Sequence, residues 1–471
     1  MAKKNEYRNY TLMDTASAVS LRKDALLDDH NFRSIIAALT DADRRASTQS
    51  IVFNDYLFFQ RFMLKEYGDL YNNVHIGRSR QDILITCQRM NLRTSLIDLL
   101  AHLSSLRAAI LQFAQDHLDD VVPSFTNGVQ AQISTVGHIF SGYEIGFARI
   151  ARRIFDIFPR MNTCPLGSAA IAGTSIPLDR GYLSELLGFE TPSRHTFDAA
   201  QLSPIGMDME VVGIIEAIAL TVGLIDQDIH GQYHHPRPWY VLDGKNVTQP
   251  STLMPQKRNP VALNHIRMDA SRVLGSCASV RFLHHNAASG LTDHKREDSW
   301  EALNLCCDLL DRFTHVISQL KFDSAAAVHM INSEYSAASE VANYLFLHSH
   351  VPFKTGHSFT SKLVDYCRLN QRYFHELENN ELDEVYRQAV GKNDAANFPL
   401  RVEEFRGVVH PSELIKKYSV LGGAHPSEVR DCLAHGTSLL DRDDIDMRTL
   451  KEKEQKWPVK LSDTVTDLLA A

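Results

Sequence analysis

A short polar segment near the middle of the chain combines a serine hydroxyl with a cation and an amide. The segment Gly244–Pro260 reads GKNVTQPSTLMPQKRNP and contains Ser251, Lys257 and Asn259. A serine hydroxyl is a poor base unless a nearby cation and aligned donors stabilise its alkoxide. Lys257 could stabilise that alkoxide or bind a carboxylate, and Asn259 could supply a further donor. By residue types alone, a solvated loop with an incidental lysine ranks ahead of a catalytic loop.

Long helices must position this segment, because turn-forming residues are missing from two long stretches. Neither glycine nor proline occurs in residues 78–122 or 291–351. Strands are short and need turns, so these stretches indicate helices. In the first stretch, apolar residues recur at three- and four-residue steps, as an amphipathic helix requires: Leu96, Leu99, Leu100, Leu103, Leu106, Ile110 and Phe113. The run Val211–Ile225 is apolar on nearly every side, so we expect helices of this chain or of neighbouring chains to enclose it.

Two further polar segments interrupt the helical pattern. They are His75–Asp82, which reads HIGRSRQD, and Pro123–Gln132, which reads PSFTNGVQAQ. Polar loops held by rigid elements are where binding and catalytic residues concentrate. We therefore expect three loops, including Gly244–Pro260, to carry the chemistry of an otherwise all-α protein.

The composition of the 471 residues is that of a globular protein of about two to four domains. Hydrophobic residues make up 44% and charged residues 23%, which argues against a disordered chain or a disulfide scaffold. The net charge is −8 and no long basic run occurs, so the sequence does not indicate a nucleic-acid partner.

The sequence predicts an intracellular, soluble protein. Seven scattered cysteines without framework spacing indicate reduced, mostly buried thiols. The N-terminus is polar and lacks the apolar core of a signal peptide. The most apolar run, Val211–Ile225, is shorter than the about 20 residues of a membrane span. We predict a cytoplasmic location.

The sequence predicts neither a metal nor an organic cofactor. The pairs His234-His235 and His284-His285 lack spaced carboxylate or cysteine partners, so a structural or solvated role is the more common one. No phosphate-binding glycine loop or dinucleotide fingerprint occurs in the chain.

Several motifs together resemble those of one enzyme superfamily. MPQKRNP after a serine-containing loop resembles the signature of the fumarase/aspartase superfamily. PLGSAAIAG at Pro165–Gly173, followed by Asp179-Arg180, is similar to argininosuccinate lyase in particular. His75–Asp82 resembles that family's HTGRSRND, and Thr126–Gln132 occupies the place of its THLQRAQ. The resemblance extends from about residue 21 to about residue 434.

The resemblance implies an anti elimination in which a base removes a proton next to one carboxylate and an amine then leaves. It implies Ser251 as the base and Lys257 and Asn259 as stabilisers of the aci-carboxylate intermediate. Ser79 and Arg80 match the motif in which arginine grips a carboxylate through parallel bonds. Thr126 matches a threonine that hydrogen-bonds the same group.

The chain departs from the family at residues that transfer a proton. Gln81 replaces the asparagine after the motif arginine and is one methylene longer. Asn127 stands in place of the THLQ histidine, and Asn264 in place of its glutamate partner. Neither asparagine can hold a proton for the leaving nitrogen at neutral pH. We expect Asn127 and Gln81 to contact substrate through hydrogen bonds.

The residues around the leaving group differ as well. Leu291, Arg296 and Ser299 replace the family's tyrosine, glutamine and lysine, and Arg296 introduces a cation. A role in substrate binding and a simple pairing with a neighbouring acid are about equally plausible for Arg296. Pro250 replaces the glycine before the catalytic serine, and the N-terminal WGGRF segment is missing.

The resemblance implies an all-α, three-domain fold with a central long-helix bundle. We predict domains at residues 1–77, 78–332 and 333–471, and a homotetramer whose sites combine motifs from three subunits. The predicted function is elimination of fumarate from an N-substituted aspartate, with an altered amine or aminocarboxylate leaving group, as in ethylenediamine-disuccinate-type substrates. The alternatives are a genuine argininosuccinate lyase and a non-catalytic, crystallin-like relative.

Overall fold

Helices dominate the described part of the chain. The computed structural model describes residues 6–49, 53, 55–244, 246–292, 298–390 and 397–470. Strands in this part of the chain are short and occur only in two-stranded pairs. The predicted all-α fold is therefore confirmed.

The N-terminal helices form a small core of their own. They are α1 (Glu6–Lys23), α2 (Asp29–Gln49), α3 (Tyr56–Tyr67) and a 3₁₀ helix over Asp69–His75. Asp55 caps α3 by accepting the Leu57 N–H at 3.1 Å, which satisfies one of the donors that a helix start leaves free.

A bundle of long helices occupies the centre. It contains α4 (Arg80–Asp116), α5 (Val136–Met161), the short α6 (Arg180–Leu186), α7 (Ser203–Gly231), α8 (Val261–Leu283) and α9 (Asp298–Ser318). The seven apolar residues predicted for one side of the first of these helices are all buried, which confirms the predicted amphipathic helix. Two turns of α7 are not covered within the chain, since Leu220 is 61% exposed and Leu224 is 55% exposed.

The C-terminal helices close the fold. They are α10 (Ser324–Ser333), α11 (Ala338–His348), α12 (Phe353–Asn370), α13 (Asn379–Val390), α14 (Val402–Val409), α15 (Pro411–Ile415) and α16 (Pro426–Ala470). The last helix returns along the bundle, where buried Arg107 contacts Glu144 of α5 at 2.8 Å and Asp443 of α16 at 2.7 Å. Buried charges are stable only when paired in this way, so the three helices are held in one register.

Three separate hydrophobic cores lie in the N-terminal helices, the bundle and helices α10–α15. Leu433 of α16 belongs to the bundle core, and Leu461 belongs to the N-terminal core. Residues from the predicted third domain thus share the cores of the other two. The boundaries at 77/78 and 332/333 stay predictions.

Four short strand pairs connect these helices. They are β1 (Val121–Thr126) with β2 (Val129–Thr135), β3 (Thr163–Cys164) with β4 (Thr191–Pro192), β5 (Tyr240–Leu242) with β8 (Leu320–Phe322), and β6 (Gln249–Pro250) with β7 (Arg258–Asn259). The β3–β4 pair is parallel and the other three are antiparallel.

By length and composition alone, α4 is apolar enough to cross a membrane. In its most apolar window, 56% of the residues are buried inside the fold. The core helix of a globular protein meets the same criterion, and α4 has this position in the bundle. All seven cysteines are free, and six of them are buried, as the sequence predicts.

Candidate active site

The segment that carries Ser251 and Lys257 forms a β-hairpin. Strands β6 and β7 pair antiparallel, and the Ser251 N–H donates to the Lys257 carbonyl at 3.2 Å across the loop. The Asn259 amide donates to the Gln249 carbonyl at 3.2 Å and closes the base of the hairpin. The hairpin therefore brings the three predicted residues of this motif together.

The Ser251 hydroxyl oxygen accepts two backbone hydrogen bonds. The Leu253 N–H donates to Oγ at 3.3 Å, and the Met254 N–H donates at 3.1 Å. Donors aimed at one oxygen stabilise negative charge there and lower the cost of deprotonation. The loop thus contains both the aligned donors and the cation, Lys257, that a serine base requires. Lys257 is exposed, and Leu253 at the tip is 84% exposed.

The two arginines of the GRSR motif have different environments. Arg78 is buried and pairs with Asp14 at 2.8 Å, so it anchors the motif to α1. Arg80 begins α4, is partly exposed and forms an ion pair with Asp55. Its Nε is buried and has no hydrogen-bond partner within the described residues. Arg80 is therefore oriented by Asp55 at the surface, where a carboxylate can reach it.

Ser79 and Asp82 fix the start of α4. The Ser79 hydroxyl accepts the Gln81 N–H at 3.3 Å, and the Ser79 N–H donates to Asp82 Oδ1 at 2.8 Å, which is a capping box. The other oxygen of Asp82 accepts the N–H groups of Gly167 at 2.8 Å and Ala169 at 3.0 Å. Burial raises the pKa of Asp82 to about 6. This carboxyl group joins the GRSR loop to the PLGSAAIAG segment.

Thr126 and Asn127 lie at the tip of the β1–β2 hairpin. Asn127 has φ 53° and Gly128 has φ 76°, and Thr126 pairs with Val129 across them. Positive φ at both central residues is typical of a type I′ turn, which favours Asn-Gly. The turn therefore gives Asn127 a conformational role in addition to the predicted contact with substrate. Phe125 stacks on a neighbouring indole, with ring centroids 5.9 Å apart.

The predicted site residues lie on three different elements of the chain. No hydrogen bond or ion pair in the described part of the chain joins Ser251 or Lys257 to Arg80 or Thr126. Asn264 is exposed on the first turn of α8, directly after the Ser251 hairpin. The chain thus carries these residues on the Ser251 hairpin, the start of α4 and the tip of the β1–β2 hairpin.

The leaving-group residues are only partly described. Arg296 lies outside the described residues, and Leu291 is 46% exposed. Ser299 points into the bundle, where its hydroxyl donates to buried Asp208 at 2.9 Å. His284 also contacts this carboxylate, at 2.8 Å through Nε2. Ser299 therefore belongs to a buried polar cluster of the bundle.

Two features of the site have no direct signal in the sequence. Asp82 occupies the fourth position of a Ser-x-x-Asp pattern, which predicts a capping box but not its bonds to Gly167 and Ala169. The side chain of Gln81 donates to the carbonyl of Gly290 at 2.6 Å. Contacts between residues so far apart in sequence are set by tertiary packing, so no local pattern could have indicated them.

Two family models and several curated relatives match this chain. A family model described as lyase matches residues 16–275, and one described as argininosuccinate lyase C-terminal matches residues 335–413. The argininosuccinate lyase of Methanoculleus marisnigri is 26% identical, over 92% of this chain and 87% of the relative. That of Methanocorpusculum labreanum is 25% identical, over 97% of this chain and 92% of the relative.

Solved structures share the fold over almost the whole chain. An EDDS lyase variant with bound fumarate superposes with a TM-score of 0.88 at 21% identity, covering 99% of this chain and 92% of that one. EDDS lyase in complex with formate gives a TM-score of 0.85 at 20% identity, with the same coverage. At this level of identity the likeness establishes the fold.

Proposed function

Since this chain belongs to the lyase family, as an argininosuccinate-lyase-like member of the fumarase/aspartase superfamily, we propose that it eliminates fumarate from an N-substituted aspartate. The observation that carries the proposal is the Ser251 oxygen, which accepts two backbone N–H groups in a loop that also presents Lys257. The reaction is a carbon–nitrogen bond cleavage that leaves fumarate and an amine. The same site can run it in reverse as an addition.

Ser251 acts as the base. Its alkoxide removes the proton from the carbon next to one carboxylate, and the electron pair moves into that carboxylate as an aci-carboxylate. The two backbone N–H groups stabilise the alkoxide before proton removal. Lys257 and Asn259 stabilise the added negative charge of the aci-carboxylate, which exists only after proton removal. Re-formation of the carboxylate then expels the amine, and the electron pair of the broken bond stays on nitrogen.

Arg80 and Thr126 hold the carboxylates of the succinyl part. The Asp55 ion pair orients the Arg80 guanidinium and leaves other N–H groups to bind a carboxylate. Ser79, at the N-cap of α4, and Asn259, at the base of the Ser251 hairpin, supply neutral donors. Helix starts favour bound anions, so the first turn of α4 suits this role.

The leaving nitrogen departs without help from a histidine. Asn127 and Asn264 have no titratable proton near neutral pH, so the nitrogen arrives protonated or has a low pKa. An amine or aminocarboxylate leaving group can leave in this way. If the leaving group is an aminocarboxylate, Arg296 is the proposed contact for its carboxylate. A genuine argininosuccinate lyase is the second candidate, favoured by the relatives of that name that match over more than nine-tenths of this chain.

The enzyme acts in the cytoplasm as a homotetramer in which subunits share each site. One support is that the site residues lie on three elements, with no hydrogen bond or ion pair in the described part of the chain joining Ser251 or Lys257 to Arg80 or Thr126. A second support is the exposed apolar surface of α7 and α8, where Leu220, Leu224 and Phe282 are 61%, 55% and 77% exposed. Assembly would cover these side chains and bring the hairpins of neighbouring copies to one site.

The proposal is tested by mixing the full-length protein with fumarate and a panel of amines, including ethylenediamine, aspartate and arginine. We expect the ultraviolet absorbance of fumarate to fall with at least one of these amines. Consumption with arginine alone would favour argininosuccinate lyase. No consumption with any amine, together with no fumarate release from argininosuccinate, would contradict an enzymatic role and favour the crystallin-like alternative.

A further inference from the structure

Both backbone polar groups of Gly290 are held by glutamine side chains from distant parts of the chain. The Gln81 amide nitrogen donates to the Gly290 carbonyl at 2.6 Å. The Gly290 N–H donates to Oε1 of Gln201 at 2.7 Å, and the amide nitrogen of Gln201 donates to the Ala170 carbonyl at 3.3 Å. Gln201 is buried. The α8–α9 segment, residues 284–292, is thereby fixed at one residue from two sides.

The backbone at this point requires glycine. Gly290 has φ +94°, a conformation that side chains of the L configuration rarely adopt. Apart from its two chain neighbours, no described residue has an atom within 4 Å of the position that a Cβ would take, so among the described residues the requirement is conformational. Leu291 follows directly, and its N–H donates to the Ala288 carbonyl at 3.3 Å. The two glutamines therefore bind both backbone polar groups of a residue whose conformation favours glycine.

The length of the side chain at position 81 decides whether this contact can form. Asparagine, as in the HTGRSRND motif, is shorter by one carbon–carbon bond of about 1.5 Å. The distance to the Gly290 carbonyl would then grow to about 4 Å, beyond hydrogen-bond range. The single methylene that distinguishes Gln81 from that motif is what reaches Gly290.

We propose that Gln81 is a positioning residue that sets the α8–α9 segment, and with it Leu291, against the leaving amine. The proposal rests on the proposed lyase function. We call the contact of Gln81 and Gln201 with Gly290 the clamp. Gln81 follows Arg80 on the first turn of α4, so one turn of helix carries both the residue that binds a carboxylate and a residue of the clamp. Selection of the amine therefore depends on the GRSR loop.

The test compares Gln81→Asn and Gln201→Asn with the control Gln388→Asn, an exposed glutamine on α13. In the addition direction, we expect both clamp variants to raise KM for the amine about 3- to 10-fold, the range of one neutral hydrogen bond. KM for fumarate should stay unchanged, because Arg80 and Thr126 hold it. Amide hydrogen exchange of residues 284–292 should become faster in both variants and not in the control.

Four results would overturn the clamp or its role. Unchanged exchange in residues 284–292 would exclude the clamp itself. Faster exchange with an unchanged amine KM, or a rise in fumarate KM instead, would exclude positioning of the amine. If wild-type protein consumes no fumarate with any amine, the lyase proposal fails and the amine role fails with it, whereas exchange still decides whether the clamp exists. Gln201→Asn breaks the other hydrogen bond to Gly290. If one of the two variants does not fold, the other variant still tests the proposal.

Discussion

Covering the exposed face of α7 and α8 should be necessary for activity. Fully burying a large apolar side chain contributes about 1.5–3 kcal/mol, and Leu220, Leu224 and Phe282 keep 61%, 55% and 77% of their surfaces exposed in one chain. Their complete burial in an assembly would therefore contribute about 3–6 kcal/mol per chain. Leu224→Lys places a charge on this face. Because Leu224 is 55% exposed in one chain, the substitution should lower the free energy of unfolding of that chain by only about 1 kcal/mol.

The assay combines light-scattering mass with fumarate consumption. We expect Leu224→Lys to lower the mass towards a single chain and to reduce turnover at least tenfold. The control Leu369→Lys changes a leucine that is 85% exposed on α12 and should keep both the mass and the turnover of the wild type. In a second measurement, the Ser251→Ala and Arg80→Ala variants are unfolded and refolded together. Activity of the mixture well above that of either variant alone indicates that subunits share a site. A wild-type chain that is monomeric and fully active would refute this reasoning.

The remaining predictions concern carboxylate binding, proton transfer and the start of α4. Lys257→Met should lower kcat more than it raises KM, because the positive charge is needed most when the aci-carboxylate forms; an effect on KM alone would place Lys257 in substrate binding. The wild-type pH–rate profile should lack the limb near pH about 6.5 that a histidine gives, and Asn127→His with Asn264→Glu should gain no strong argininosuccinate cleavage. A strong gain would identify a lightly altered argininosuccinate lyase. Burial raises the pKa of Asp82 to about 6, so the folded state binds this proton more tightly than an unfolded chain with a carboxyl pKa of about 3.9. The contribution of Asp82 to stability is thus full below that value and is lost, by about 3 kcal/mol, as pH rises through about 6. Urea titrations between these pH values measure how the free energy of unfolding falls with pH, and Asp82→Asn should remove this fall. The same pH dependence in Asp82→Asn and wild type would exclude Asp82 as its source.

Much of the fold follows from local patterns in the sequence. The apolar spacing from Leu96 to Phe113 predicts the buried side of α4, because helix periodicity and burial are set by the same neighbours. The apolar run Val211–Ile225 lies within α7, although Leu220 and Leu224 remain exposed in one chain. The sequence also predicts that the catalytic motifs lie on loops between helices.

The parts of the site that could not be predicted depend on long-range contacts. The bonds from Gly167 and Ala169 to Asp82 and the two bonds to Gly290 join residues that are 85 to 209 positions apart. The sequence likewise does not indicate that Ser251 sits in a paired hairpin, since two-residue strands have no periodicity to detect. The inward position of Ser299 depends on buried Asp208, which no local pattern connects to it.

The central claim is that Ser251 removes the proton in a fumarate-forming elimination. It is tested by comparing fumarate turnover in wild type, Ser251→Ala and the control Thr252→Ala, with the best amine from the panel. General base catalysis contributes about 10²- to 10⁴-fold, so we predict that Ser251→Ala loses at least about 100-fold while its fold is unchanged and Thr252→Ala stays near wild type. A loss of less than about tenfold in Ser251→Ala, about 1.4 kcal/mol of barrier, would contradict the account and assign the base to another residue.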